Sequence, residues 1–533
     1  METRLPDTRK DTAISEKVMF LAWIVVLAFG LTLLSRNIHT WFVGRREDNN
    51  ALYSVFARNH IYYGLGHTKL FHTYGTTKEM PAKPERYLNN PPLLGLWVGG
   101  AMYVFGDHEW VGRMVPIATT LGGAWILMIM ISRLQSPMVG LLTGLFYLTL
   151  PMTAYFGRIV EYTSPTQFFS LLMLHGYLQW TGVYGNGYGR EAGAVWYVLG
   201  TVLGIGTGWA AAIMAGLIWL WHIRRAFLNH SSRQLLWWLT AIPAVSLTAV
   251  LVHILYGCNW NFRFLADLFL SRAFGSNIDK PIFWLEWAFL NWGCLTGIFS
   301  EVGIGAAIIY TVVIIAILRY TKEDSALRQI VKSKVSIIPI FLTLLQGSIW
   351  VIVFRQQSGT HEYWWYFISP FIAVAIASVI LTVFSILSKR TPHFAVVVAI
   401  ILMFVPIPFF IVSTEQLYLN KWSSDETLRV IPALKKLDEL IPARTAVMVS
   451  EDHRNVTIRD KQLDNYAKRP LIFSRDINEI AANQQDCAAY LLEMTNDPNT
   501  YQLAQKLGEK YKLAGVERNY MIFLLNPSER YGK

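Results

Sequence analysis

At 533 residues, with 53% hydrophobic and only 16% charged positions and a mean hydropathy of +0.33, the chain is too apolar for a water-soluble globular protein. Its apolar residues come in runs long enough to cross a bilayer. The net charge of +11 is no argument for a nucleic-acid partner, because membrane proteins gather Lys and Arg in cytoplasmic loops.

The first apolar run, Val18 to Leu34, follows Arg4, Arg9, Lys10 and Lys17 and lacks a small-residue cleavage site, so it reads as a retained anchor with a cytoplasmic N-terminus. A polar loop, 36–112, comes next. Near its start stands the acidic pair Glu47-Asp48, beside Arg45 and Arg46. Leu52, Val55 and Phe56 then fall on one helical face, which predicts a short helix on the membrane surface with Asp48 or a following Asn as its N-cap. Ionisable groups next to a membrane tend to mark sites, whereas capping accounts for one acid at most. Arg36, Arg58, Lys69, Lys78, Lys83 and Arg86 make the loop basic throughout. Such a loop suits a phosphate ligand, although a long loop is translocated whatever its charge. Later in the loop, Asn89-Asn90-Pro91-Pro92 opens an apolar stretch ending at Phe105. It is too short for a crossing and carries Gly95, Gly99 and Gly100, so a surface or re-entrant helix fits, with the prolines in its first turn.

Eleven apolar runs read as spans: 18–35, 114–132, 137–155, 166–181, 194–206, 208–223, 235–256, 297–318, 335–354, 366–388 and 393–413. Alternate crossings place Arg133, Arg190, Arg224, Arg225, Arg233, the stretch 319–334, Lys389 and Arg390 on the cytoplasmic side, as the positive-inside rule asks. The segments 36–112, 156–165, 257–296 and 355–365 then lie outside. Arg158 and Glu161 in the second of these are spaced for an ion pair, but a Glu so near the bilayer is also a functional candidate. His361-Glu362-Tyr363 in the fourth would serve metal ligation, substrate polarisation or interfacial packing equally. Cys258 and Cys294 share the third, where a disulfide is conceivable; with Cys487 they form no CxxC and no metal spacing.

From about residue 416 the composition turns soluble. A helix over 428–440, strands over 446–450, 488–494 and 520–525, and a helix over 501–511 predict a small α/β domain. The expected fold class is therefore an α-helical polytopic membrane protein with about eleven transmembrane helices, surface or re-entrant helices in the first loop, and a small extracytoplasmic C-terminal α/β domain. The expected boundary divides 1–415 from 416–533.

Asp48, Ala57-Arg58-Asn59, Tyr63-Gly64-Leu65, Tyr87 to Leu94 and Phe105 to Arg113, in that order, resemble the GT-C superfamily of membrane glycosyltransferases. The nearest likeness is to the protein O-mannosyltransferases and the bacterial aminoarabinose transferases of lipid A. The resemblance implies a polyprenyl-phosphate sugar as donor, a lipid, glycan or protein as acceptor, and transfer on the outer face of a bacterial cell membrane. It implies Asp48 as the reacting acid, with Glu47 as the other option and Glu161 as the acid of the second external loop. Arg58, Arg158, Lys83 and Arg86 are then expected at the donor phosphate, and Asn89, Asn90, His361, Glu362 and Tyr363 at the substrate. A divalent cation held by Asp48, Glu161 and His361 fits the same picture. Asn90 departs from the family, where His or Glu commonly precedes the Pro-Pro step.

A transporter or flippase of lipid-linked sugars is the competing reading, and it predicts charges buried in broken helices. The spans carry few ionisable residues, with His253 and Glu301 near their ends, which disfavours it. A relative that binds lipid-linked sugars without reacting is the third reading; the presence of Asp48, Arg158 and Glu161 argues against it.

Overall fold

The computed structural model describes residues 16–184, 189–228, 233–275, 282–320, 337–389, 391–419, 425–450, 465–494 and 497–525. Arg4, Arg9, Lys10, Arg390 and the basic stretch 321–334 lie outside the described residues. The chain is an α-helical integral membrane protein with a small C-terminal sheet. Among the described residues six helices are long and apolar enough to cross a membrane: Lys17–Leu34, Glu109–Leu134, Leu235–Gly257, Trp284–Ile317, Glu362–Ser388 and Pro392–Leu419. The other five expected spans are also helical, over Pro137–Thr149, Thr163–Trp180, Arg190–Thr207, Ala210–Phe227 and Ile337–Val353.

Contacts divide the chain into two units. The first comprises 1–36, 116–158 and 162–416; the second comprises 37–115, 159–161 and 417–533. The division differs from the expected split at 415/416, because the first long loop packs with the tail rather than with the spans.

In the first unit, helix α1 (Glu16–Leu34) shows how the bundle is built. Val18, Leu21 and Val25 are more than half exposed while Leu34 is buried, an outward apolar face that only lipid can solvate. Helices Thr163–Trp180 and Arg190–Thr207 approach backbone to backbone through small residues. A Cβ on Gly176 would lie 2.3 Å from Tyr197 N, and one on Gly200 2.4 Å from Met173 N. In lipid, where apolar burial does not favour one helix face over another, such close packing supplies the association. The expected outer loop 257–296 is largely helical, over Phe262–Phe274 and from Trp284 onward. Asn261 caps the former by accepting from Phe264 N at 3.2 Å. The long helix Trp284–Tyr320 breaks at Ser300, where φ is 58°, close to the start expected at 297. Cys258 and Cys294 are separate thiols, so the conceivable disulfide is not formed.

The second unit contains helix α2 (Asp48–Tyr63), the short helix Leu93–Phe105, and an antiparallel pair, β1 (His72–Thr73) with β2 (Arg86–Tyr87). Leu93–Phe105, only 13 residues long, packs on α2, in keeping with a surface element rather than a crossing. The tail forms β3 (Ala446–Val449), β4 (Leu471–Phe473), β5 (Cys487–Glu493), β6 (Lys512–Glu517) and β7 (Tyr520–Leu524). They make one sheet in the order β4-β3-β5-β7-β6, with β3 parallel to β4 and β5 and the remaining pairs antiparallel. Successive residues point to opposite faces, so Val447, Val449, Leu491 and Ile522 enter one core and Met448, Tyr490, Leu492 and Phe523 the other. Helix Asp425–Leu440 covers the first core through Val430, Leu434 and Leu437. Phe42 and Ala51 from the first loop complete it.

Candidate active site

Asp48 is the first residue of α2, and Glu47 takes the N-cap position. The expected side-chain cap by Asp48 or an Asn is not what holds this terminus. Glu47 turns back instead: one carboxylate oxygen accepts from Val43 N at 3.0 Å and Gly44 N at 2.8 Å, and the other from Arg113 at 2.7 Å. Arg113 is wholly buried, donates also to the carbonyls of Ile38 and Thr40 at 2.8 and 2.6 Å, and lies 4.7 Å from the centre of the Phe42 ring. Both oxygens of Glu47 are thus committed to shaping the turn that presents Asp48. This makes Glu47 an architectural residue, in place of the catalytic option read for it. Burying such a pair is costly, and here both carboxylate oxygens and both terminal nitrogens of the guanidinium are engaged.

Two buried amides extend the frame. Asn50, in the first turn of α2, accepts from Val160 N at 2.6 Å and so fixes the segment 159–161 that carries Glu161. Asp48 and Glu161, both buried, therefore belong to one unit. Asn59 donates to the carbonyls of Thr73 and Gly75, each at 2.8 Å, tying α2 to the β1 segment. His60 is buried against Thr68, and desolvation pushes its pKa down to about 4, so it stays neutral. α2 ends at Gly64, whose φ of 81° a side chain would resist.

The residues expected at the donor phosphate fall in both units: Arg58, Lys83 and Arg86 in the second, Arg158 in the first. Both terminal nitrogens of Arg58 are engaged, with Asn465 at 2.8 and 2.6 Å and with Asp107 at 3.3 Å. These bonds link it to the tail. Arg86 on β2 lies 4.7 Å over the Phe71 ring, and Lys83 is exposed. Arg158 belongs to the first unit, where it is buried and donates to the carbonyl of Arg36. The turn before it is fixed by a buried hydroxyl cluster: Thr120 donates to Gly157 O at 2.9 Å and meets Ser164 at 2.7 Å and Tyr366 at 3.0 Å.

Asn90, where the family commonly carries His or Glu, points its amide at the hydroxyls of Tyr53 and Tyr87, each 3.1 Å away. It braces the start of the Pro-Pro helix. Asn89 beside it is half-buried. In the first unit, His361 Nδ1 lies 2.9 Å from Gln357 O and 3.0 Å from the Thr360 hydroxyl. Glu362 and Tyr363 follow it in a buried 3₁₀ turn. Among the described residues no three His, Cys, Asp or Glu side chains converge as metal ligands; of the expected set, Asp48 and Glu161 belong to the second unit and His361 to the first.

Sequence reasoning missed Arg113, Asn50 and the tail residue Asn465. Arg113 stood in the family-like stretch, but nothing in a single sequence tells a buried arginine from an interfacial one.

Solved structures share this architecture. ArnT from Cupriavidus metallidurans, bound to undecaprenyl phosphate, superposes with a TM-score of 0.53 at 13% identity, covering 95% of this chain and 98% of that one. The Archaeoglobus fulgidus oligosaccharyltransferase in the apo form gives 0.56 at 11% identity, covering 90% and 70%. The archaeal oligosaccharyltransferase AglB from the same organism, in complex with an inhibitory peptide and a dolichol-phosphate, gives 0.54 at 11%, covering 92% and 72%. No protein-family model matches the chain, and no curated protein matches it in sequence. The chain shares the fold of these solved structures.

Proposed function

We propose that the protein is a membrane glycosyltransferase that moves a sugar from a polyprenyl-phosphate donor to an acceptor hydroxyl. Transfer takes place on the extracytoplasmic face of a bacterial inner membrane, with the N-terminus cytoplasmic and the tail outside. The observation that carries the reading is a buried acid, Asp48, held at the head of α2 by a fully bonded turn within a GT-C fold. Solved structures of that fold bind undecaprenyl phosphate and a dolichol-phosphate, which supports the donor class.

The chemistry needs one base. Asp48 accepts the proton of the acceptor hydroxyl while its oxygen attacks the anomeric carbon. The bond from that carbon to the phosphate oxygen breaks, and the phosphate leaves with the electron pair; a single displacement inverts the configuration. A phosphate is already a good leaving group, so the second carboxylic acid of glycoside hydrolysis is not required. Arg158, Lys83 and Arg86 are the cations assigned to the departing charge, and Glu161 orients the acceptor beside Asp48. Asn89, His361, Glu362 and Tyr363 contribute to substrate binding.

The test is incubation of purified protein with labelled polyprenyl-phosphate sugars and a membrane lipid and glycan extract, alongside an Asp48→Asn variant. Label should move to an acceptor and slow roughly 10²–10⁴-fold in the variant. Undiminished transfer in Asp48→Asn would sink the assigned base.

A further inference from the structure

We propose that the second unit holds a subsite for a neutral oligosaccharide of the acceptor, in the cavity between α2 and the tail domain. The proposal rests on Asp48 as the transfer centre. The cavity measures about 350 Å³, within the roughly 300–1,000 Å³ usual for small-molecule sites. Ser54 and Arg58 of α2 form one wall, Lys435, Asn465 and Lys468 of the tail the other, and Asp107 stands between them.

Its position follows from helix geometry. At about 1.5 Å per residue, Ser54 lies roughly 9 Å and Arg58 roughly 15 Å beyond Asp48 along the α2 axis. At 3.6 residues per turn Ser54 and Arg58 also lie about a third and a quarter of a turn round the helix from Asp48, so an oligosaccharide whose terminal hydroxyl reaches Asp48 would pass round α2 to enter this cavity.

The charges select the ligand. Asp107 is shared by Arg58 at 3.3 Å and Lys468 at 2.7 Å, and Lys435 pairs with Glu109 at 3.1 Å. Burial alone would raise the Asp107 carboxyl, but the two cations outweigh it and hold it below the usual carboxylate value. The lining carries three cations, Arg58, Lys435 and Lys468, and three carboxylates, Asp107, Glu109 and Asp438, so an anionic ligand meets no surplus of positive charge of the kind phosphates favour. What the walls offer is alternating donors and acceptors, which suits hydroxyls that both donate and accept. The side chains of Lys435 and Lys468 are 46% and 37% exposed at the rim, so incoming hydroxyls reach them without the unit opening.

Saturation-transfer NMR on the full-length protein in nanodiscs tests this with neutral di- to hexasaccharides of glucose, mannose, galactose and arabinose and with their phosphorylated counterparts. At least one neutral oligosaccharide should give transfer, undiminished in Asp48→Asn and weakened about tenfold or more by Lys435→Met or Lys468→Met, whose half-exposed pairs are not needed for folding. A measurement free of variants runs in parallel: the same oligosaccharide should protect Lys435 and Lys468 from acetylation, read by mass spectrometry. No binding by any neutral oligosaccharide, preference for the phosphorylated forms, or unprotected lysines would overturn the subsite. Those outcomes leave Asp48-dependent sugar transfer standing. Loss of the Asp48 effect with binding intact would overturn the reaction and not the cavity.

Discussion

α1 and α2 are comparable in length and opposite in construction. α1 turns Val18, Phe20 and Leu21 outward and buries little, whereas α2 buries Asp48, Asn49, Asn50, Ser54, Asn59 and His60. A helix in lipid is held by length and close packing and tolerates apolar exchange. A helix with a polar interior is held by hydrogen bonds that each demand one geometry, and leaving a buried partner unmatched costs about 1–3 kcal/mol. The apolar bundle therefore gives the protein its place, and the polar unit gives it one exact arrangement of Asp48.

The sharpest way to break this contrast lies at adjacent acids. Asp48→Asn should cut transfer roughly 10²–10⁴-fold at unchanged thermal stability. Next in size, Arg113→Met leaves Glu47 buried without its cation and should destabilise the second unit by about 3–5 kcal/mol, seen as a lowered melting transition. Glu47→Gln should resemble Arg113→Met in melting and not Asp48→Asn in kinetics. If Glu47→Gln kept full stability and lost transfer, the two acids would have to exchange roles.

The third effect is a pH dependence within the polar unit. His60 has an ordinary pKa of 6.5 when unfolded and about 4 when folded. Its lowered value means the unfolded chain takes up a proton that the folded chain refuses. The contribution is fully present above pH 6.5 and is lost as pH falls from 6.5 towards 4, on the order of 2–3 kcal/mol. Protection factors of α2 amides, with the intrinsic exchange rate at each pH divided out, should fall across that window in the wild type and much less in His60→Gln. Smallest is Tyr366→Phe in the bundle, which removes hydroxyl contacts to Thr120 and Tyr147 at 3.0 and 3.3 Å and should cost about 1 kcal/mol. A larger loss would show that the bundle, too, depends on a polar lock.

The same contrast decides what was legible in the sequence. The spans announce themselves because lipid demands runs of apolar residues, so every expected one is helical; in the tail β3, β5 and β7 stand out as short apolar runs, whereas β6, with Lys512, Gly515 and Glu517, carries no such signal and is not among the expected strands. Leu471–Phe473 and the two-residue strands β1 and β2 are too short to carry a period. Asp48 and Glu47 are indistinguishable as letters; only the backbone amides of Val43 and Gly44 and the guanidinium of Arg113 separate them. Arg58 reads as a phosphate ligand, and its bond to Asn465, 407 positions away, leaves no mark in the letters.

That separation along the chain bears on biogenesis. Phe42 N donates to Tyr466 at 2.7 Å across 424 positions, and Arg444 reaches back to Asn59 at 3.1 Å. During synthesis at about 5–20 residues per second, the segment bearing Asp48 waits roughly 20–85 s for these partners to be made. Until then its turn lacks the tail's contributions, so a nascent chain would stay silent until its last domain has arrived.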